Sequence, residues 1–194
     1  MVTQFEEITD SQWEVMKDIL NCQRKRKHDL RTIFNALLWL DRTGAQWRNL
    51  ESRYPKWTLV YYYSRRWRKD GTFVLLNIHL VNLERWLWDK ELTPSLVSVD
   101  SQSVKAAPFI DSDKGIDGNK KVNGRKQHIV VETLGLVIGV SVSAANADDA
   151  KEGVKLLECC KDQLQRVQKV LVDGAYRGAF VEWVKEHLGA EAEA

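Results

Sequence analysis

At 194 residues, with 44% hydrophobic and 29% charged side chains, the chain has the composition of an ordinary globular protein holding one large domain or two small ones. The opening Met1-Val-Thr-Gln-Phe-Glu-Glu7 lacks a basic leader with an apolar core. No apolar run reaches the roughly 18 to 20 residues of a membrane span, so the chain reads as intracellular. Cys22, Cys159 and Cys160 lack the two-residue spacing of a zinc or redox motif and are expected to be reduced. The net charge of +2 hides an asymmetry: residues 24 to 69 hold 13 Lys and Arg against 3 acidic residues, whereas residues 93 to 194 hold 13 against 15. Seven of the eight tryptophans also precede residue 93, which puts a composition break near Thr93-Pro94.

In chain order, Thr9 or Asp10 starts a helix carrying Trp13, Met16, Ile19 and Leu20 at helical spacing. The basic run Arg24-Lys25-Arg26-Lys27-His28 follows. A second helix is predicted from Asp29 to Thr43, with Leu30, Ile33, Phe34, Leu37, Leu38 and Leu40 as its apolar face and Gly44 as its stop. A turn-rich connector around Trp47 to Trp57 leads to a third helix, Thr58 to Lys69, whose end is strongly basic at Arg65, Arg66, Arg68 and Lys69. A fourth helix covers Phe73 to Leu87, so the first half is all-α.

After Pro94 the period changes. Leu96 to Asp100 reads as a strand, residues 106 to 125 as a polar loop, and Gln127 to Glu132 with Leu136 to Ser143 as a hairpin turning at Thr133-Leu-Gly135. A helix capped by Asn146 or Asp148 follows, then a buried strand at Lys169 to Asp173 and a helix at Ala179 to Leu188. The closing Gly-Ala-Glu-Ala-Glu-Ala is of low complexity.

The chemistry concentrates on two carboxylates. Asp is depleted in strands, yet Asp100 and Asp173 each end a short apolar run, where a side chain projects into the crevice that binds ligands in open α/β sheets. Two such groups on adjacent strands suit a hard divalent cation, and that chemistry attacks phosphodiesters. The alternative, in which each carboxylate only caps the element after it, stays open on spacing alone. Lys120, Lys121, Arg125, Lys126 and His128 lie beside the second strand, where cations would neutralise phosphates. Arg24 to Lys27 and Arg65 to Lys69, interleaved with aromatic residues, suit phosphate contact by a helical DNA-binding module, although basic surface helices without a partner are common. His28, His79, His128 and His187 are scattered, which argues against zinc. No Gly-rich phosphate loop or Gly-x-Ser-x-Gly elbow occurs, so kinases, dehydrogenases and serine hydrolases fall away.

Four blocks carry a resemblance: Ser98-Val-Asp-Ser-Gln-Ser-Val-Lys105, Gly118 to Gly135, Ala144-Ala-Asn-Ala-Asp-Asp149 and Val172-Asp-Gly-Ala-Tyr-Arg-Gly178. They strongly resemble the DDE transposases of bacterial insertion sequences. Ile8-Thr-Asp-Ser-Gln-Trp13, His28-Asp-Leu-Arg31, Arg42-Thr-Gly-Ala-Gln-Trp47 and Arg66-Trp-Arg-Lys-Asp-Gly71 resemble the short helical domain found in one branch of that family. The resemblance implies an all-α DNA-binding domain over residues 1 to 92, then a truncated ribonuclease-H-like mixed-sheet domain over 93 to 194. It implies that Asp100 and Asp173 are catalytic metal ligands for Mg²⁺ or Mn²⁺. Double-stranded DNA is the implied partner, as terminal inverted repeats and target, with a homo-oligomer or a complementing C-terminal polypeptide.

Two departures from the family pattern are expected. The third acid, a Glu on a helix after a fifth strand, has no counterpart, since that strand would begin where the chain stops at Ala194, and Glu182 reads as a solvated helix position. The 194 residues are therefore expected to be inactive alone, with a sheet edge and part of the core left uncovered. A rival from another class is a non-catalytic truncated protein that occupies element ends or inhibits full-length transposase. A third possibility is a split enzyme whose Glu-bearing helix comes from another frame.

Overall fold

The structure is a computed structural model that describes residues 5–20, 27–107 and 112–193. The chain divides into two compact units, Met1–Leu76 and Asn77–Ala194. The division falls inside a helix, upstream of the composition break at Thr93-Pro94. Among the described residues no helix is long and apolar enough to cross a membrane.

The first unit is helical. Helix α1 (Asp10–Met16) starts in a capping box: Thr9 Oγ1 accepts from the Gln12 amide, and Gln12 Oε1 accepts from the Thr9 amide at 2.9 Å. Helix α2 (Leu30–Thr43) buries Leu30, Ile33, Phe34, Ala36, Trp39 and Leu40 and stops at Gly44, whose φ of 64° lies in the left-handed region that favours glycine. Helix α3 (Trp57–Lys69) buries only Val60, Ser64 and Trp67. Helix α4 (Thr72–Leu87) begins where Asp70 accepts from the Thr72 amide and hydroxyl, at 3.2 and 2.6 Å. Trp67 is the hub of this core, with ring centroids 6.3 Å from Phe34, 5.4 Å from Tyr63 and 5.9 Å from Phe73. Buried Asn35 accepts from the Ile8 amide at 3.1 Å and donates to Glu7 at 3.1 Å, which fastens the entry segment to α2.

The second unit is a mixed sheet with helices. Its elements are β1 (Leu96–Lys105), β2 (Gly115–Asp117), β3 (Val122–Glu132), β4 (Val137–Ala144), α5 (Asp149–Cys159), β5 (Lys169–Leu171), α6 (Ala179–Leu188) and β6 (Glu191–Glu193). β4, β3 and β1 form an antiparallel meander, and β5 then β6 add in parallel on the far side of β1. A meander followed by helix-linked parallel strands is the ribonuclease-H-like arrangement, so the expected fold class is met. Its core joins Val97, Val99, Val130 and Val170 of the sheet to Leu156 and Leu157 of α5 and Phe180 and Val184 of α6.

Several boundaries differ from the sequence reading. β1 runs to Lys105 because β3 pairs with it as far as Lys105↔Gly124. The polar stretch 106 to 125, expected as a loop, contains β2 and the start of β3, held by pairs from Gly115↔Gly124 to Asp117↔Val122. Backbone pairing there needs no apolar side chains, so periodicity could not reveal it. The fifth strand, expected only beyond the chain, is present as β6, with Lys169↔Glu191, Val170↔Ala192 and Leu171↔Glu193 in parallel register. Glu-Ala-Glu alternates with the strand period, whereas composition alone marks it as a tail.

Candidate active site

The β1–β5 ladder pairs the residues that lead up to the two expected carboxylates. Leu96 pairs with Lys169, Val97 with Val170 and Ser98 with Leu171, so Asp100 and Asp173 each follow the last pair by two residues. Both residues are exposed, Asp100 midway along β1 and Asp173 two residues past the end of β5 rather than at the end of a strand running to it, while Val97, Val99 and Val170 are buried. Each carboxylate is steadied by backbone: Asp100 Oδ1 accepts from the Ser101 amide at 2.7 Å, and Asp173 Oδ1 from the Ala175 amide at 2.9 Å.

Tyr176 lies behind this pair. Its side chain is 1% exposed, its ring meets Phe180 edge-on at 5.0 Å, and a Cβ on Gly153 would come within 2.7 Å of it, so glycine at 153 makes its room. The hydroxyl faces Ser101 but makes no hydrogen bond of ordinary geometry. Burial first, then the negative charge of Asp149, Asp173 and Asp100, pushes this phenol above its usual range, with Ser101 opposing.

A polar layer extends under β3. Lys126 Nζ is 3.0 Å from Asp149 Oδ1 and donates to the Ala147 carbonyl at 3.1 Å. His128, fully buried, shares a 2.8 Å hydrogen bond between Nε2 and Ser143 Oγ, and its Nδ1 stands 4.0 Å from Asp149. Burial holds the imidazole below its ordinary pKa, against the pull of Asp149 and Glu152. Asp117 is held near a pKa of about 2, chiefly by the Ser103 hydroxyl and then by the Lys120 and Asn119 amides. It therefore ties down the turn that carries Lys120 and Lys121.

The basic residues divide by environment. Lys120 and Lys121 are exposed, and Arg125 is half-buried, donating to the carbonyls of Ser112 and Asp113 at 3.1 and 3.3 Å. Lys126, expected among the phosphate-facing cations, is instead 6% exposed and engaged with Asp149, because the β3 pleat turns alternate residues inward. His128 is corrected in the same way, to a buried group whose charged form is disfavoured. Arg65, Arg66, Arg68 and Lys69 are exposed on α3, and Lys27 is exposed ahead of α2. Arg24, Lys25 and Arg26 lie outside the described residues. Glu182 is exposed in the first turn of α6. Among the described residues no three His, Cys, Asp or Glu side chains gather as a ligand set.

Sequence reasoning missed the environment of Tyr176 and Asp149. Both sit inside the blocks that carry the resemblance, but their burial depends on α5 packing over the sheet, which no local spacing encodes.

Family comparisons point the same way. The family model "Transposase DDE domain" matches residues 91–191, and "Putative transposase of IS4/5 family" matches residues 8–77. No curated protein matches the chain. Among solved structures, the Mos1 transposase paired-end complex with left transposon end aligns at 14% identity and TM-score 0.35, over 88% of this chain and 59% of that one. The Mos1 strand transfer complex aligns at 14% and 0.35, over 88% and 58%. A pre-cleavage Mos1 transpososome aligns at 13% and 0.35, over 88% and 60%. This chain thus spans about 60% of the length of those chains. With the DDE model matched over residues 91–191, more than half of its length, the protein belongs to the family of DDE-domain transposases.

Proposed function

We propose that this chain serves DNA transposition of an insertion sequence, its helical unit gripping duplex DNA and its sheet unit offering Asp100 and Asp173 to a divalent cation, Mg²⁺ or Mn²⁺. The observation that supports the reading is that both exposed carboxylates follow the last pair of the parallel β1–β5 ladder, Ser98 with Leu171, by two residues. The donor set fits such an ion: both are exposed oxygen ligands, the class that Mg²⁺ and Mn²⁺ prefer. The bound cation supplies activation of a water or 3′-hydroxyl and stabilisation of the leaving oxygen in an in-line displacement.

The protein's own residues do the rest. The Ser101 and Ala175 amides fix one oxygen of each carboxylate, so the ligands are oriented before a cation arrives. Lys120, Lys121 and Arg125 border the same sheet and neutralise phosphates. Lys126 is not a phosphate ligand in this reading; it balances Asp149 inside the fold. Two carboxylates leave the ligand set one acid short of the family pattern, so these 194 residues bind DNA and cation but do not join strands unaided.

The test is a binding and joining assay on element-end duplexes with Mn²⁺. Expected are salt-sensitive duplex binding that survives Asp100→Ala and Asp173→Ala in metal-free buffer, and no strand joining by the 194-residue chain. Robust joining by this chain alone overturns the inactivity, and absence of duplex binding overturns the reading.

A further inference from the structure

We propose that α3 is the helix of this protein that lies in the major groove of duplex DNA, with Tyr62 and Arg65 facing base edges and Arg66 and Arg68 on the phosphates to either side. The inference rests on the reading that the chain acts on duplex DNA and adds how it does so. Thr58, Tyr62, Arg65 and Lys69 recur at i, i+4, i+7 and i+11, so they form one stripe along the helix, and all four are exposed. Arg66 borders the stripe on one side, Arg68 and Tyr61 on the other, while Val60, Ser64 and Trp67 anchor the opposite face in the core.

The other described helices of this unit do not fit. α2 spends its surface in the core and exposes only its last turn, Asp41 to Thr43, and the exposed positions of α1 include Asp10 and Glu14. The part of α4 within this unit exposes Val74 and Leu75, which offer nothing to a polyanion. Only α3 combines a firm anchor with cations on its free face. Its 13 residues span about 20 Å, and a helix about 10 to 12 Å across enters a major groove about 12 Å wide.

The cations are arranged rather than merely present. Arg65 stacks over the Tyr61 ring at 5.9 Å, and Arg48 over Trp57 at 5.9 Å near the start of the helix. Arg66 is 3.7 Å from Asp70, which keeps it to the side of the stripe. A central Arg suits bidentate recognition of guanine, whereas flanking cations position the helix without reading sequence.

The test is selection of binding sites from a pool of random duplexes, using the full chain and variants whose folding is checked by circular dichroism. Because these side chains are exposed, the variants are expected to fold as the parent does. Arg65→Gln is expected to change the enriched bases at one or two adjacent positions and to weaken the parental site on the order of 10-fold or more. Arg68→Gln is expected to weaken all duplexes alike and to lower the salt slope by about 1, leaving the enriched sequence unchanged. If Arg65→Gln leaves the enriched sequence intact, or if no sequence is enriched, the groove assignment is overturned while DNA binding stands. If the parent binds no duplex, this inference and the proposed function fall together.

Discussion

Arg85 of α4 and Glu132 at the end of β3 form an ion pair closed off from solvent, with side-chain exposures of 5% and 0%. Glu132 Oε1 also accepts from the Leu134 and Leu136 amides at 2.8 and 3.1 Å, and Arg85 Nε donates to the Glu91 carbonyl at 2.7 Å. One carboxylate therefore organises the β3–β4 turn and holds α4 beside it. Removing the arginine strands a buried charge, so Arg85→Ala should destabilise this unit by about 3 to 5 kcal/mol. The double change Arg85→Met with Glu132→Leu should recover much of that loss. Urea unfolding of the three proteins checks both statements, and a loss below about 1 kcal/mol for Arg85→Ala contradicts them.

Gly153 is a packing requirement. A Cβ there would lie 2.7 Å from Tyr176 Cε1 and 3.0 Å from Phe180 Cε2, so Gly153→Ala should overpack the α5–α6 contact and cost about 1 to 3 kcal/mol. Thermal unfolding reads the effect, and an unchanged midpoint would mean that Tyr176 moves aside freely.

The buried imidazole sets a pH dependence. His128 has a folded-state pKa below its unfolded value of 6.5, so the unfolded chain takes up a proton that the folded chain refuses. Stability should therefore be flat above about pH 6.5 and fall as pH drops below it, until the folded imidazole itself titrates. His128→Gln should flatten that part of the stability curve. A parental curve that rises on acidification through this window contradicts the assignment.

The sheet edge formed by β6 predicts a local effect. The Glu191 amide donates to Gln168 at 2.9 Å, and the Val172 amide donates to Glu193 at 2.9 Å. Glu191→Pro removes the first donor and should unpair β6. Hydrogen exchange at Val172 should then accelerate, while exchange at Val130 in the meander stays slow. Equal exchange at Val172 in both proteins would show that β6 does not protect β5.

Much of this architecture was legible in the chain. The α2 stripe with Gly44, a helix start at Thr9 or Asp10, the hairpin turn and the span Ala179 to Leu188 follow from periodicity and end signals, and the structure has them there, with Thr9 as the cap. The parallel pairing of the two apolar runs, Leu96 to Ser98 with Lys169 to Leu171, lies just ahead of Asp100 and Asp173. What the sequence concealed depends on tertiary contact. β2 forms by backbone pairing in a polar stretch, β6 looks like a tail, and Lys126 resembles its exposed neighbours until the β3 pleat turns it toward Asp149. Arg85 and Glu132 are 47 positions apart, and nothing local marks them as partners.

The most direct test of the central claim is Mn²⁺ titration of the 194-residue chain followed by paramagnetic broadening of backbone amide signals. The amides of Ser101 and Ala175, each bonded to one of the two carboxylates, should broaden first and together, and Asp100→Asn or Asp173→Asn should abolish the effect at both positions. Broadening centred elsewhere, or broadening that persists at both amides in the two variants, would contradict a cation held jointly by Asp100 and Asp173.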